Sequence, residues 1–373
     1  MKAPAFLCFV ALALLAARPA HAEPRRVAVL DFANTARDPA VDWLGPAVAE
    51  TLTTKLHAIR GFHLVERLQI YRVLQEQKLA LNDLVDPSQA VTVGKLVAAE
   101  QVVLGAYAVF AGTVRFTARF VDTATGIVVA TSQVDGALDR RNPGALWSAF
   151  DRLALAAIES LNIRVAIVQG EPEPVPAAAG ERVEPTAEEW ARLAQPPAAS
   201  LEAQEAFGRG SSAYKRDLLA EAASEFARAA AVDPAWGEAW YSLASALEGL
   251  GKYPEALGAA QTATKIYVRS GNEPGQTRAL ALLGRVLIRQ GRYPEALGYF
   301  ARSLRLAERR IDLPAKARVF RAIAGVRAQQ GRYADALAYY DRALVIAERL
   351  GMAERHELRR LRDEARRMAR ARS

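Results

Sequence analysis

Few side chains in this sequence are placed to do covalent or metal chemistry. Of the four histidines, His21 falls within an amino-terminal apolar segment, His57 and His63 bracket Gly61, and His356 sits in a charged tail. No pair has the spacing of metal ligands, so His57 and His63 read as structural and no metal is expected. The only cysteine, Cys8, lies inside the apolar run, which leaves the rest of the chain without a thiol nucleophile, a disulfide or a zinc thiolate. There is no Gly-x-Ser-x-Gly elbow and no Gly-x-x-x-x-Gly-Lys phosphate cradle. Asp31 ends an apolar strand, where α/β proteins often place function. No second catalytic group accompanies it, and its expected role is to cap the next turn through Asn34 or a backbone N–H. The reading is therefore non-enzymatic, with no cofactor. Arg278, Arg285 and Arg289 stand at i, i+7 and i+11 on one helical stripe. Planar guanidinium forks suit carboxylates, so the chemistry expected of this chain is recognition.

The arginine stripe belongs to a repeating frame. Gly251-Lys252-Tyr253-Pro254-Glu255-Ala256-Leu257 recurs as Gly291-Arg292-Tyr293-Pro294-Glu295-Ala296-Leu297 and as Gly331-Arg332-Tyr333-Ala334-Asp335-Ala336-Leu337, at steps of 40 residues. Each glycine should end one helix at positive φ, and the proline in two copies should open the next. Small residues (Ala244, Gly284, Ala324; Ala256, Ala296, Ala336) mark close helix approach, and Trp240, Leu280 and Phe320 fill one equivalent position. A divergent first copy runs from Glu202 to Pro234, with Ala222, Phe226 and Ala229. Units of this kind bury their apolar faces only by stacking into a solenoid with a concave binding surface.

This pattern resembles the tetratricopeptide repeat over about 150 carboxy-terminal residues, with about four repeats in residues 201–352 and a basic capping helix in 353–373. The steps of 40 imply second helices longer than usual. By the resemblance, the concave positions are Tyr241 and Glu248 in the second repeat, Arg278, Arg285 and Arg289 in the third, and Arg318 and Arg321 in the fourth. The expected partner is a protein presenting an acidic segment or a free carboxylate.

Residues 1–22 read as a cleavable secretion signal: Lys2, an apolar run from Phe6 to Ala16, then Ala20-His21-Ala22. A periplasmic protein is expected, with membrane contact at most peripheral. The chain carries 49 Lys and Arg against 41 Asp and Glu, a formal +8. Much of the excess sits in residues 353–373, with eight arginines against Glu354, Glu357, Asp363 and Glu364. That tail has no interleaved aromatics, so it reads as a solvated helix and not as a nucleic-acid surface. Between 166 and 200, prolines alternate with Ala and Glu, and the expectation is an extended linker. Within it, Thr186-Ala187-Glu188-Glu189 can cap a short helix, and Trp190 is a candidate docking residue.

Residues 23–165 read as a mixed α/β domain. Arg26–Phe32 is an apolar strand, 44–59 an amphipathic helix, and 62–67 a second strand, an order that implies a parallel crossover. Helices follow at 68–77 and 88–98, then strands at 101–110, 113–122 and 126–135, and a helix at 143–161. Val27-Ala28-Val29-Leu30-Asp31-Phe32, Leu64-Val65-Glu66-Arg67, Leu96-Val97-Ala98-Ala99-Glu100-Gln101-Val102-Val103-Leu104-Gly105 and Ala118-Arg119-Phe120-Val121-Asp122-Thr123-Ala124-Thr125-Gly126 together resemble the envelope family that includes CsgG, FlgO and the amino-terminal domain of TolB. The fold class is thus a mixed-sheet amino-terminal domain plus an all-α solenoid. The resemblance implies an exported, non-enzymatic protein that works by partner binding, here as a scaffold. The alternative it implies is a ring-forming secretion component that self-associates through the amino-terminal domain. Against a pore, the chain has no lipid-anchored cysteine and no added pair of long alternating strands.

Overall fold

The computed structural model describes residues 24–76, 86–139, 141–168, 171–178, 181–193, 200–352 and 354–372. The expected secretion signal lies outside the described residues.

The amino-terminal sheet begins with β1 (Arg25–Val29), whose five residues are all buried. It pairs in parallel with β3 (Phe62–Leu64) on one side and β4 (Gln101–Phe110) on the other. β2 (Ala33–Asn34) is a short parallel addition to β4. β4, β5 (Thr113–Asp122) and β6 (Val128–Ala137) form an antiparallel meander, so the order is β3-β1-β4-β5-β6. Alternation along β5 buries Val114, Phe116, Ala118 and Phe120.

Helices cover both faces of this sheet. α1 (Leu44–His57) and α4 (Gly144–Leu161) bury Leu44, Val48, Leu52, Leu56, Phe150 and Leu153 against Val27, Val29, Val103 and Phe116. α2 (Arg67–Glu76) and α3 (Pro87–Leu96) bury Ile70, Leu74, Ala90 and Val93 against Ala28, Leu30, Val102 and Val121. A strand covered on both sides must be apolar throughout, which is why β1 reads as an unbroken apolar run after its two arginines.

The segment expected to be an extended linker is instead folded against the domain. β7 (Ile163–Val168) pairs antiparallel with β8 (Glu171–Pro176), with Pro172, Pro174 and Pro176 opposite Ile167, Val165 and Ile163. Ladder bonds in an antiparallel pair fall on alternate residues, so prolines spaced by two can all occupy positions where no N–H is needed. Asn162 then pins the return: its amide accepts from Val183 N–H at 2.8 Å and donates to the Val183 carbonyl at 2.9 Å. Thr186 and Glu189 form the reciprocal cap of α5 (Ala187–Leu193), and Glu189 also accepts from Arg60 N–H at 2.9 Å. Leu193 is buried while Trp190 is 43% exposed, so α5 docks through Glu189 and Leu193, not through the tryptophan.

Eight consecutive helices make four antiparallel pairs: α6 (Leu201–Lys215) with α7 (Leu219–Val232), α8 (Gly237–Gly249) with α9 (Tyr253–Arg269), α10 (Glu273–Arg289) with α11 (Tyr293–Arg309), and α12 (Leu313–Gln329) with α13 (Tyr333–Arg349). α14 (Arg355–Arg372) closes the array through Leu358 and Ala365. The glycines that open the heptapeptides sit at φ +75, +74 and +74, the left-handed turn that lets the chain reverse between helices. The longer repeat step comes from both helices of the unit, 17 residues in each of α9 and α10 against 14 in α7 and 13 in α8, and not from the second helices alone. Of the tail arginines, Arg359 pairs with Glu348 of α13 while Arg362 and Arg366 pair with Asp363 within α14, and Glu357 of α14 holds Arg321 of α12.

The two halves share one core. Leu68 and Tyr71 of α2 are buried with Phe207 and Tyr214 of α6, and Phe226 and Tyr241 beyond them. α6 approaches α1 so closely that a Cβ on Gly208 would lie 2.3 Å from the Trp43 carbonyl oxygen.

Candidate binding cavity between the two halves

α2 runs along the concave side of the solenoid, and the arrangement is fixed by polar contacts at its start. Asp31, at the end of the β1 segment, accepts from Arg67 Nη2 at 2.5 Å, Tyr71 Oη at 2.8 Å and Lys215 Nζ at 3.2 Å. The expected turn-capping role is therefore replaced by a buried ion cluster that ties β1, α2 and α6 together. The turn is held by other groups, Asn34 donating to Asp42 and to the Asp38 carbonyl. Burial alone would raise the Asp31 pKa, but the Arg67 and Lys215 charges outweigh it and hold the carboxyl below its ordinary value. Arg67 also reaches Glu50, whose own pKa is raised to about 7 by burial and by the facing Glu238 carboxylate.

Beyond this cluster the halves part around a cavity of about 840 Å³. All seven concave-face positions expected from the sequence line it: Tyr241, Glu248, Arg278, Arg285, Arg289, Arg318 and Arg321. The chain's own groups already engage most of them. Arg278 grips Glu238 of α8 with both arms, at 3.1 and 2.8 Å, and stacks on the Tyr241 ring with its guanidinium carbon 4.9 Å from the centroid. Arg285 grips Glu248 in the same way, at 3.1 and 2.9 Å. These forks staple the second repeat to the third. Arg321 pairs with Glu357 of α14 at 2.9 Å, and Arg318 donates to Gln69 of α2 at 3.2 Å. Tyr241 donates to Glu66, just before α2. Arg289 makes no ion pair with a described residue.

The opposite wall comes from the sheet domain and was not anticipated. Arg26, His57, His63, Glu66, Gln69 and Arg72 all line the cavity. His57 and His63, read as structural, both face it, and burial is the main cause that lowers both of their pKa values. Burial would raise the Glu66 pKa, but Arg278 and the Tyr241 hydroxyl outweigh it and keep the group anionic. One local signal was available for this wall: Arg25-Arg26 opens a strand that is otherwise apolar on both faces, and a charged side chain there must point at something.

The molecule is thus a mixed-sheet domain with one helical layer seated in the concave face of a helical-repeat solenoid. Residues 11–115 match the model of the curli production assembly/transport component CsgG, and residues 237–309 and 281–350 match two tetratricopeptide-repeat models. A CsgG-like region followed by tetratricopeptide repeats is the architecture of this chain. Both families are typically non-enzymatic protein-interaction modules, and the CsgG family is linked to the cell envelope. No curated protein matches the sequence. Among solved structures, MamA is 20% identical over 39% of this chain and 79% of its own, with a TM-score of 0.34. Apo RapI is 17% identical over 46% of this chain and 65% of its own, TM-score 0.43. A Rap protein complexed with competence and sporulation factor is 15% identical over 46% of this chain and 50% of its own, TM-score 0.39. No described helix is long and apolar enough to cross a membrane.

Proposed function

We propose that this chain is an exported scaffold of the bacterial envelope that holds a protein partner through its solenoid. The observation that carries the reading is the run of tetratricopeptide repeats, whose concave face gathers Tyr241, Glu248, Arg278, Arg285, Arg289, Arg318 and Arg321 around one cavity. Solenoids of this kind present extended concave surfaces, and guanidinium groups favour a partner with an acidic segment or a free carboxylate. The CsgG-like region supports the envelope setting. Crosslinking of the protein in the periplasm, followed by identification of the adduct, tests the reading. A discrete heterologous adduct that is lost on deletion of residues 202–373 and weakened by Arg318→Glu supports it. A ladder of self-adducts that survives the deletion would sink it, and would favour a ring-forming component.

A further inference from the structure

The cavity between the halves carries more positive charge than its own carboxylates neutralise. Its five acidic residues are all engaged. Glu66 accepts from Tyr241, Glu248 holds Arg285, Glu357 holds Arg321, Glu354 accepts from Gln69, and Asp312 caps α12 through Ala315 N–H. Eight arginines line the same space, and five of them (Arg26, Arg72, Arg289, Arg310 and Arg318) form no ion pair with a described residue.

Arg26 and Arg318 are the most exacting of the five. Arg26 is 7% exposed, its Nη2 reaches only the Val97 carbonyl at 2.8 Å, and its Nε has no partner. Arg318 faces it from α12 and donates to a neutral group, Gln69, at 3.2 Å. Burial first, and then the Arg318 charge, lower the Arg26 pKa to about 10, although Asp312, Glu354 and Glu100 offset part of the effect. A desolvated cation such as Arg26 is costly without a close counter-charge, and the nearby Arg318 charge adds to that cost. The space is the size of a small-molecule pocket, about 300–1,000 Å³ in general, and its volume of about 840 Å³ is too large for a bare inorganic ion. Part of its wall is apolar, from Ile288, Phe300, Val319 and Val326.

We propose that this cavity is a binding site for an organic polyanion, whose carboxylate or phosphate groups bridge Arg26 of the sheet domain and Arg318 of the solenoid. The anion would occupy the same cavity as the proposed protein partner but needs no protein to bind, so its titration on the isolated chain reads out whether or not a partner adduct is found. Because the two main cations come from different halves, the bound anion clamps the halves together.

Thermal unfolding and calorimetric titration of the full chain test this, with citrate and with inorganic pyrophosphate, each against sodium chloride at matched ionic strength. The expected result is a saturable rise in Tm with at least one probe, and an affinity at least about tenfold weaker in Arg318→Gln. The better probe tells a carboxylate ligand from a phosphate one. Arg318→Gln loses one hydrogen bond to Gln69; should it not fold, Arg318→Lys, which keeps the charge but not the planar fork, carries the same prediction. Arg115→Gln is the control, since the Arg115 ion pair with Asp135 is exposed and lies outside the cavity. The absence of a saturable effect above the salt control with both probes, or undiminished affinity in the variant, overturns the proposal.

Discussion

The residue that most changes its meaning between sequence and structure is Asp31. At the end of β1 it looked like a turn cap, and it proves to be the anchor of Arg67, Tyr71 and Lys215. Breaking a buried pair from one side leaves the other charge stranded, so Asp31→Asn should cost about 3 kcal/mol in urea unfolding. The carboxyl is held below its ordinary value, so its contribution is present above the unfolded pKa of 3.8 and is lost as pH falls through the lower folded value. Asp31→Asn should accordingly show a shallower loss of stability on the acid side than the parent protein. Glu50 has the opposite sign. Its folded value of about 7 lies above the ordinary 4.5, so its own contribution is full below pH 4.5 and is lost as pH rises through 7. Glu50→Gln should remove a pH dependence on the order of 2–3 kcal/mol between pH 4.5 and 8, measured by chemical denaturation at each pH.

At the scale of elements, the periodic segments were legible and the proline-rich one was not. The heptapeptides announce their helices because glycine, proline and alanine each answer a local demand: a left-handed turn, a free N–H position, a close contact. β4 and β5 likewise reach their expected ends, β5 through its alternation of apolar and polar residues and β4 as a nearly continuous apolar run. Residues 166–200 carry one such signal, the Thr186–Glu189 cap that α5 follows, and none for the β7–β8 hairpin. Composition alone argues for an extended chain, yet the hairpin and α5 form because the domain supplies Asn162, Arg60 and a site for Leu193. Asn162→Ala should release this segment, because it deletes both bonds to Val183 and leaves that backbone unpaired. Limited proteolysis should show new cleavage between 181 and 193, with the solenoid helices still protected.

At the scale of the molecule, the docking of α2 into the concave face decides what the solenoid has left to bind with. Glu66 and Gln69 occupy Tyr241 and Arg318, and α6 packs on α1 through the bare backbone of Gly208. Gly208→Val would drive a side chain into the Trp43 carbonyl and push the halves apart. Hydrogen exchange should then quicken in α2 by at least about tenfold, equivalent to about 1.4 kcal/mol. Amides of α10 to α13, whose buried contacts are with one another and with α8, α9 and α14, should keep their protection. Equal exchange in α2 of the variant and the parent would mean that the seam contributes nothing to holding the halves.

The sequence by itself determined the repeats, their phase and the stripe of concave-face residues, because each is set by contacts within one repeat or with its neighbour. It also determined the order of strands and helices in the sheet domain, since apolar periodicity reports which face of an element is buried. Only the tertiary structure decided that the proline-rich segment folds, that Asp31 is an ion-pair anchor, and that the sheet domain closes the solenoid's concave face with Arg26, Glu66 and Gln69. These features join residues far apart in the chain: Arg318 meets Gln69 across 249 positions and Tyr241 meets Glu66 across 175. No local pattern encodes a contact of that separation, because what selects it is the fit and charge balance of two surfaces that exist only once both halves have folded.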